Sequence, residues 1–305
     1  MVTVSDIFSA CACPLSFEIF PPKGDLTLGA ARAVVAELAP LAPDFVSVTY
    51  SAGGSGNSRA TAVVAAMVQE EFDIPAVAHL TCGDATEETL GAAVADLKAK
   101  GVQTVLALRG DQTAGQGPAG QDPAGRGRDG QGSADRGARV LRYAKDLIPR
   151  LAEAGFCVGA AAYPEGHVDC FDERAGIEHL KQKQDAGASF FVTQLFFDNA
   201  CFYRFRESAE RAGVTAPITC GVMPLMSKAQ VQRMVFMCGA SVPAALVKLV
   251  AKYADAPDDL RRAGIEYASA QLVDLKAHGA RGLHVYTMNQ PDIARANVAA
   301  LKAAR

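Results

Sequence analysis

The sequence predicts a single (β/α)8 barrel spanning residues 1–305, with extra helices before its eighth strand. Three observations predict it. Eight short apolar runs rich in β-branched or aromatic residues recur along the chain, and segments with helical spacing separate them. Most of the runs are nearly continuous in apolar character, as strands buried on both faces must be. Strands never follow one another without a helix between, which calls for a parallel sheet. Eight units in 305 residues close naturally into a barrel; an open doubly wound sheet is the second solution.

The strand runs, in order, are Ser16–Phe20, Phe45–Tyr50, Ala76–Leu80, Thr104–Leu108, Val158–Tyr163, Phe190–Phe197, Ile218–Met223 and Leu283–Met288. Helical segments Leu28–Leu41 and Ala60–Phe72, Ala-rich and amphipathic, fill the first two gaps. Thr86-Glu87-Glu88 opens the next, Leu90–Lys100, with acidic residues in its first turn, and Gly101 stops it. Val140–Ala154 ends at Gly155, Ile177–Ala186 at Gly187, Phe202–Ala212 at Gly213 and Lys228–Met237 at Gly239, glycines suited to the position after a helix. Two further helices, Pro243–Tyr253 and Asp258–His278, precede strand eight, and Asp292–Lys302 closes the chain.

Composition narrows the function. Half of the residues are apolar and 21% are charged, enough for a large core. A net charge of −3, with no Lys/Arg run, offers no face for nucleic acid. No apolar stretch reaches the length of a membrane span. Phe8–Cys11 bears a faint likeness to a lipoprotein cleavage box, but no upstream positive charge supports it. A cytosolic protein is expected. The eight cysteines are scattered, and neither a disulfide framework nor a four-ligand metal site follows from their spacing. No metal is expected. Cys157 and Cys220 read as small core residues.

Residues 112–137 depart from the pattern. They are rich in Gly, Gln, Asp and Arg, and read as a flexible surface insertion or a lid.

Polar residues gather where the strands end. Glu18 lies inside the first strand, on the face opposite Phe17 and Ile19, and alternation can turn it into the barrel mouth. By itself it reads equally as a structural or a catalytic carboxylate. Strand two ends in Thr49-Tyr50, strand three in His79-Leu80-Thr81 and strand four in Arg109-Gly110-Asp111. Strand five ends in Tyr163-Pro164-Glu165 with His167 nearby, strand six carries Gln194, and strand eight ends in Tyr286-Thr287-Met288-Asn289. A barrel brings all these ends to one face, where active sites are built. No nucleophile elbow is present, nor a strand-end lysine suited to a Schiff base. The mixture of aromatics, hydroxyls, an Arg, histidines and acids suits a large, planar, partly anionic cofactor. The residues alone lead to a cofactor-using barrel enzyme.

In order along the chain stand SFEIFPPK (16–23), FVSVTY (45–50), HLTC (79–82), ALRGD (107–111), AAYPEGH (161–167), LKQKQDAGA (180–188), TQLFFD (193–198) and HVYTMN (284–289). This ordered set resembles the bacterial methylenetetrahydrofolate reductase family. The resemblance implies a barrel that binds FAD, with FMN as the alternative. NADH or NADPH would reduce the flavin, which would pass a hydride to 5,10-methylenetetrahydrofolate. It implies Glu18 as the general acid that opens the imidazolidine ring, its pKa raised by an apolar site. Asp111 is implied as the acid beside flavin and pterin, its charge favouring the 5-iminium cation.

The resemblance further implies flavin-site roles for Thr49, Tyr50, His79, Arg109, Gly110, Asp111, Tyr143, Ala144, Tyr163, His167 and Lys183. Gln194, Gln230 and Gln290 take substrate positions. Arg109 and Lys183 suit a pyrophosphate, although by itself Lys183 reads as a solvated helix charge. Four positions depart from the family pattern. Gln290 replaces an arginine, Met234 an aromatic, and Gly176 and His179 an aspartate and an asparagine. The implied partners are folate and a nicotinamide, with a homo-oligomer or a partner subunit as the assembly. Two readings stand beside this one: a flavin barrel of the proline dehydrogenase kind, and a non-catalytic barrel subunit.

Overall fold

A computed structural model of the chain describes residues 2–21, 28–50, 58–83, 85–110, 141–170 and 172–304. Its strands are β1 (Leu15–Ile19), β2 (Phe45–Val48), β3 (Ala76–Thr81), β4 (Thr104–Leu108), β5 (Cys157–Ala162), β6 (Phe190–Thr193), β7 (Ile218–Val222) and β8 (Leu283–Tyr286). Each pairs in parallel with the next and β8 pairs with β1, so the barrel closes in sequence order. The expected barrel is the observed one. The insertion at 112–137 and Asp111 lie outside the described residues.

Alternation along each strand divides the core in two. The outward residues, among them Phe17, Ile19, Val46, Val48, Val105, Ala107, Phe191 and Val285, join the helices in one large cluster. The inward residues Phe45, Val77, Leu106, Phe190 and Val192 form a second, smaller cluster with Val4, Ile7 and Phe8. Those last three belong to a helix that the sequence reading does not include, α1 (Val4–Ala10). Thr3 caps it, its side chain accepting from the Asp6 backbone while Asp6 reaches back to Thr3, a reciprocal pair that T-x-x-D could have signalled. Its apolar face closes the amino-terminal end of the barrel, where the Val4 N–H donates to Thr104 Oγ1. The apolar patch around Phe8 is therefore a helix face.

The remaining helices are α2 (Leu28–Leu38), α3 (Ser58–Phe72), α4 (Glu87–Ala99), α5 (Ala144–Glu153), α6 (Glu173–Asp185), α7 (Asn199–Arg211), α8 (Lys228–Cys238), α9 (Ala244–Lys252), α10 (Pro257–Ala277) and α11 (Pro291–Ala303). Where Leu28–Leu41 was expected as one helix, a 3-10 turn at Ala39–Leu41 ends it, with Pro40 in the turn. α5 begins four residues later than the expected Val140, at Ala144. α6 begins at Glu173 rather than Ile177, because the Asp172 carboxylate accepts from the N–H groups of Arg174 and Ala175. Gly155 and Gly187 end their helices at φ of +90° and +114°, a region that favours glycine.

Strand six is shorter than its apolar run. Pairing stops at Thr193, yet Leu195, Phe196 and Phe197 remain buried. Phe196 stacks on Phe202 of α7, with ring centroids 5.7 Å apart. Leu195 and Phe197 enter a third cluster over the carboxyl ends of β7 and β8, with Leu225, Met234, Leu246 and Leu260. A continuous apolar run reports burial and not hydrogen bonding, so the end of the ladder was invisible in it. Among the described residues no helix is long and apolar enough to cross a membrane.

Candidate active site

The carboxyl ends of the strands carry two polar groups of residues. The first lies inside the barrel, on β1, β2, β3 and β8. Register places Glu18 beside Ser47 on one side and Tyr286 on the other. The flanking Phe17 and Ile19 point outward and are buried, so Glu18 faces inward, as alternation predicts. There it meets polar partners rather than the apolar surroundings expected for it. His284 Nε2 lies 3.3 Å and His79 Nε2 3.7 Å from Glu18 Oε2. A serine anchors each imidazole: Ser16 Oγ is 2.7 Å from His284 Nδ1, and Ser47 Oγ is 2.6 Å from His79 Nε2.

Burial pushes the His79 pKa down from its ordinary 6.5 to about 4, with Glu18 opposing the shift and His284 adding to it. The sign of the consequence is fixed by proton uptake. Between pH 6.5 and 4 the unfolded chain protonates His79 while the folded chain does not. His79 therefore contributes stability that is complete above pH 6.5 and is lost as pH falls toward 4. Thermal unfolding across that window should show a shallower acid slope in His79→Gln than in the wild type. An unchanged slope would mean that His79 is not buried in its neutral form.

Around this centre the backbone is tightly held. Asn289 accepts from the Phe20 N–H at 2.9 Å and donates to the Phe20 carbonyl at 3.0 Å, tying the end of β8 to the end of β1. The Tyr286 hydroxyl donates to the Thr193 carbonyl at 2.7 Å. That contact passes the bare Cα of Gly221, where a Cβ would sit 2.7 Å from the tyrosine oxygen. Gln194 donates its backbone N–H to Ala162 and accepts the Leu195 N–H on its side chain.

The second group gathers at the ends of β4 and β5. Arg109 Nη2 donates to Asp169 at 2.7 Å and lies 3.4 Å from His167 Nε2. Its Nε is buried and has no hydrogen-bond partner among the described residues. His167 packs edge-on to Tyr163, with centroids 4.8 Å apart. Lys183, on α6, lies 5.2 Å from the Tyr163 ring centroid and donates to the Ala161 carbonyl at 2.8 Å. Burial and then the neighbouring Arg109 lower its pKa to about 8. It is no solvated surface charge, and among the described residues no carboxylate pairs with it. Gly110 stands at φ +89°, and a Cβ there would press on Thr81 at 3.1 Å. Two neighbouring cations, with the Asp169 carboxylate on Arg109 alone among the described residues, form a place for an anionic group.

The other expected positions are more dispersed. Thr49 closes β2, its N–H donating to the Ile19 carbonyl, and Tyr50 packs against the outer core. Tyr143 caps α5 and is exposed, while Ala144 beside it is buried. Gln230 is buried, and both ends of its amide serve the loop after β7: Oε1 accepts from the Met226 N–H and Nε2 donates to the Pro224 carbonyl. Gln290, before α11, accepts from Arg261 of α10 at 2.7 Å, and Arg261 also pairs with Asp292 at 2.6 Å. A guanidinium thus stands beside residue 290, shared with the Asp292 carboxylate. Met234 is buried in the third cluster. Gly176 and His179 fall on the first two turns of α6, and a Cβ at Gly176 would meet nothing within 4 Å.

Sequence reasoning missed Ser16, Ser47, His284 and Arg261. The first three stand two residues from, or directly across from, a recognised site residue on an inward face. Period-two alternation from Glu18 and Thr49 would have found Ser16 and Ser47.

Known proteins share this architecture. The family described as Methylenetetrahydrofolate reductase matches residues 4–302. A 5,10-methylenetetrahydrofolate reductase of Pectobacterium carotovorum is 30% identical over 283 residues, covering 92% of this chain and 88% of that protein. The enzyme of the same name from Escherichia coli K12 matches to the same extent. Methylenetetrahydrofolate reductase (NADH) 1 of Arabidopsis thaliana is 31% identical over 289 residues, 90% of this chain but 46% of its own length. Among solved structures, an uncharacterized Clostridium thermocellum protein that binds two copies of 5-methyl-5,6,7,8-tetrahydrofolic acid shares the fold. Its TM-score is 0.63, with 15% identity over 98% of this chain and 97% of that one. Matched along nearly its whole length, the chain belongs to the methylenetetrahydrofolate reductase family, and the reaction it serves is the reduction of 5,10-methylenetetrahydrofolate.

Proposed function

We propose that this reduction runs through a flavin, FAD in the first place, with NADH or NADPH as the electron source and Glu18 as the proton donor. The observation that carries the reading is the cationic pair at the ends of β4 and β5. Among the described residues, Lys183 is desolvated without a carboxylate of its own, and Arg109 keeps a buried Nε unpartnered. Placing such charges away from water is costly unless an anion completes them. A dinucleotide pyrophosphate is such an anion, and the Tyr163 and His167 rings beside it suit an aromatic ligand. A flavin held there by Arg109 and Lys183 would supply the hydride chemistry, from a reduced nicotinamide to the folate. The name of the Arabidopsis relative specifies NADH, and the Clostridium protein that shares the fold binds a folate.

The chain's own part is acid chemistry and positioning. The closed imidazolidine ring of the substrate cannot accept a hydride at its bridging carbon. A proton delivered from Glu18 to N10 breaks the N10–methylene bond and leaves a 5-iminium cation, which can. Thr49 and Gln194, on the strand ends, orient the ligands. Asp111 follows Gly110 directly, and in this reading its carboxylate favours the cation. Gln290 together with Arg261 takes the negatively charged folate tail, the charge coming from α10 instead of from residue 290. In this reading the reaction runs in the cytosol.

The test is anaerobic. The purified protein, incubated with FAD or FMN, should turn yellow, bleach with NADH or NADPH, and recover its colour with methylenetetrahydrofolate. Lys183→Met should weaken flavin binding by roughly 10- to 100-fold, the scale of one hydrogen bond to a charged group, with the barrel still folded. A protein that takes up neither FAD nor FMN would overturn the flavin reading.

A further inference from the structure

The hydrogen-bonding capacity around His284 can be counted atom by atom. Its ring is fully buried on β8, edge-on to Tyr286 with centroids 5.2 Å apart. Ser16 Oγ contacts two groups at once: the Leu283 carbonyl at 3.2 Å and His284 Nδ1 at 2.7 Å. A hydroxyl has one hydrogen, and a carbonyl can only accept. Both contacts are satisfied together only when Ser16 donates to Leu283 and accepts from an Nδ1–H. A neutral imidazole protonated at Nδ1 has a bare Nε2. That bare nitrogen faces Glu18 Oε2 at 3.3 Å. With the ring neutral, the hydrogen between them comes from the carboxyl.

We propose that His284, with its tautomer fixed by Ser16, is a positioning residue that holds the Glu18 carboxyl in its protonated, proton-donating form. The inference rests on Glu18 acting as the acid of the reaction. It adds the device that supplies the acid: an acceptor nitrogen aimed at the carboxyl from the neighbouring strand. Hydrogen bonding to the neutral form of an acid disfavours its ionised form. When Glu18 gives that proton to N10, Ser16 can turn its hydroxyl toward Nδ1, and the other tautomer then offers an Nε2–H to the carboxylate. Both protonation states of Glu18 thus find a partner in one ring.

The other groups facing this centre do not duplicate the role. His79, from β3, is 3.7 Å from the same oxygen, beyond hydrogen-bonding range, and is itself held by Ser47 of β2. The Tyr286 hydroxyl donates to the Thr193 carbonyl. Burial raises the Tyr286 pKa, so its proton stays on.

The experiment titrates Glu18 directly. Isotope-edited infrared spectroscopy of the whole protein follows the carboxylic C=O band that Glu18→Gln removes, and stopped flow follows the folate half-reaction over the same pH range. In Ser16→Ala and His284→Phe the loss of that band should move to lower pH, by about one unit for His284→Phe and less for Ser16→Ala. The alkaline fall of the folate half-reaction should move with it, costing about 10-fold at the pH where the wild type is half active. The rate at low pH should return to the wild-type value, which a merely structural defect would not allow. A band that titrates where the wild type does in folded Ser16→Ala overturns the proposal, whether or not His284→Phe folds. The infrared result needs neither flavin nor folate turnover, so it stands apart from failure of the flavin reading.

Discussion

Glu18→Gln should lower the folate half-reaction by roughly 10²- to 10⁴-fold, the usual contribution of a positioned general acid, and leave flavin reduction by the nicotinamide nearly unchanged. The two half-reactions share a cofactor but differ in what they ask of the protein. Hydride transfer from a nicotinamide needs no proton at N10 of a folate, whereas ring opening does. The substitution is gentle on the structure. A glutamine amide can still donate to His284 Nε2, which lies 3.3 Å from the present carboxylate oxygen, and the side chain keeps its volume. Stopped-flow traces of the separated half-reactions decide the matter. Equal losses in both would make Glu18 a structural carboxylate of the site, and no loss in either would place the proton donor elsewhere.

Gly264→Ala should destabilise the fold by about 3 kcal/mol or more, the upper end of overpacking effects. Gly264 is buried in α10, and a Cβ there would stand 1.9 Å from the Leu225 carbonyl oxygen and 2.7 Å from its carbon. The obstacle is backbone, so no side-chain rotation relieves it. Either α10 lifts or the loop after β7 shifts. α10 is not free to lift. Its Tyr267 hydroxyl donates to the Phe197 carbonyl, Gln271 to the Phe196 carbonyl, and Arg261 to Gln290. For a chain of this size the loss corresponds to a fall of roughly 5 °C in melting temperature, read by calorimetry or circular dichroism. A melting temperature within about 2 °C of the wild type would show that the contact relaxes without cost. Because the loop after β7 also carries the partners of Gln230, folate affinity should weaken along with stability.

The order of strands and helices, the closure of the barrel and the inward turn of Glu18 were legible in the sequence. All three follow from local periodicity: an apolar run of four to eight residues makes a buried strand, and alternation assigns its faces. Helix ends such as Gly155 and Gly187 were legible for the same reason, since a positive φ restricts the residue that can occupy it. What the sequence left open depends on atoms far apart in the chain. His284 stands 266 residues from Glu18, and only the pairing of β8 with β1 brings its nitrogen to that carboxyl. The sequence alone could not choose between a structural and a catalytic Glu18, because the choice depends on partners contributed by other strands. Likewise Gln290 read as a lost charge until α10 folded back to set Arg261 against it. Lys183 read as a solvated lysine until α6 packed it over Tyr163 and beside Arg109. Local propensity and face follow from neighbours in sequence. Hydrogen-bond partners, desolvation and the charge a site presents follow from neighbours in space, and those exist only once the barrel has closed.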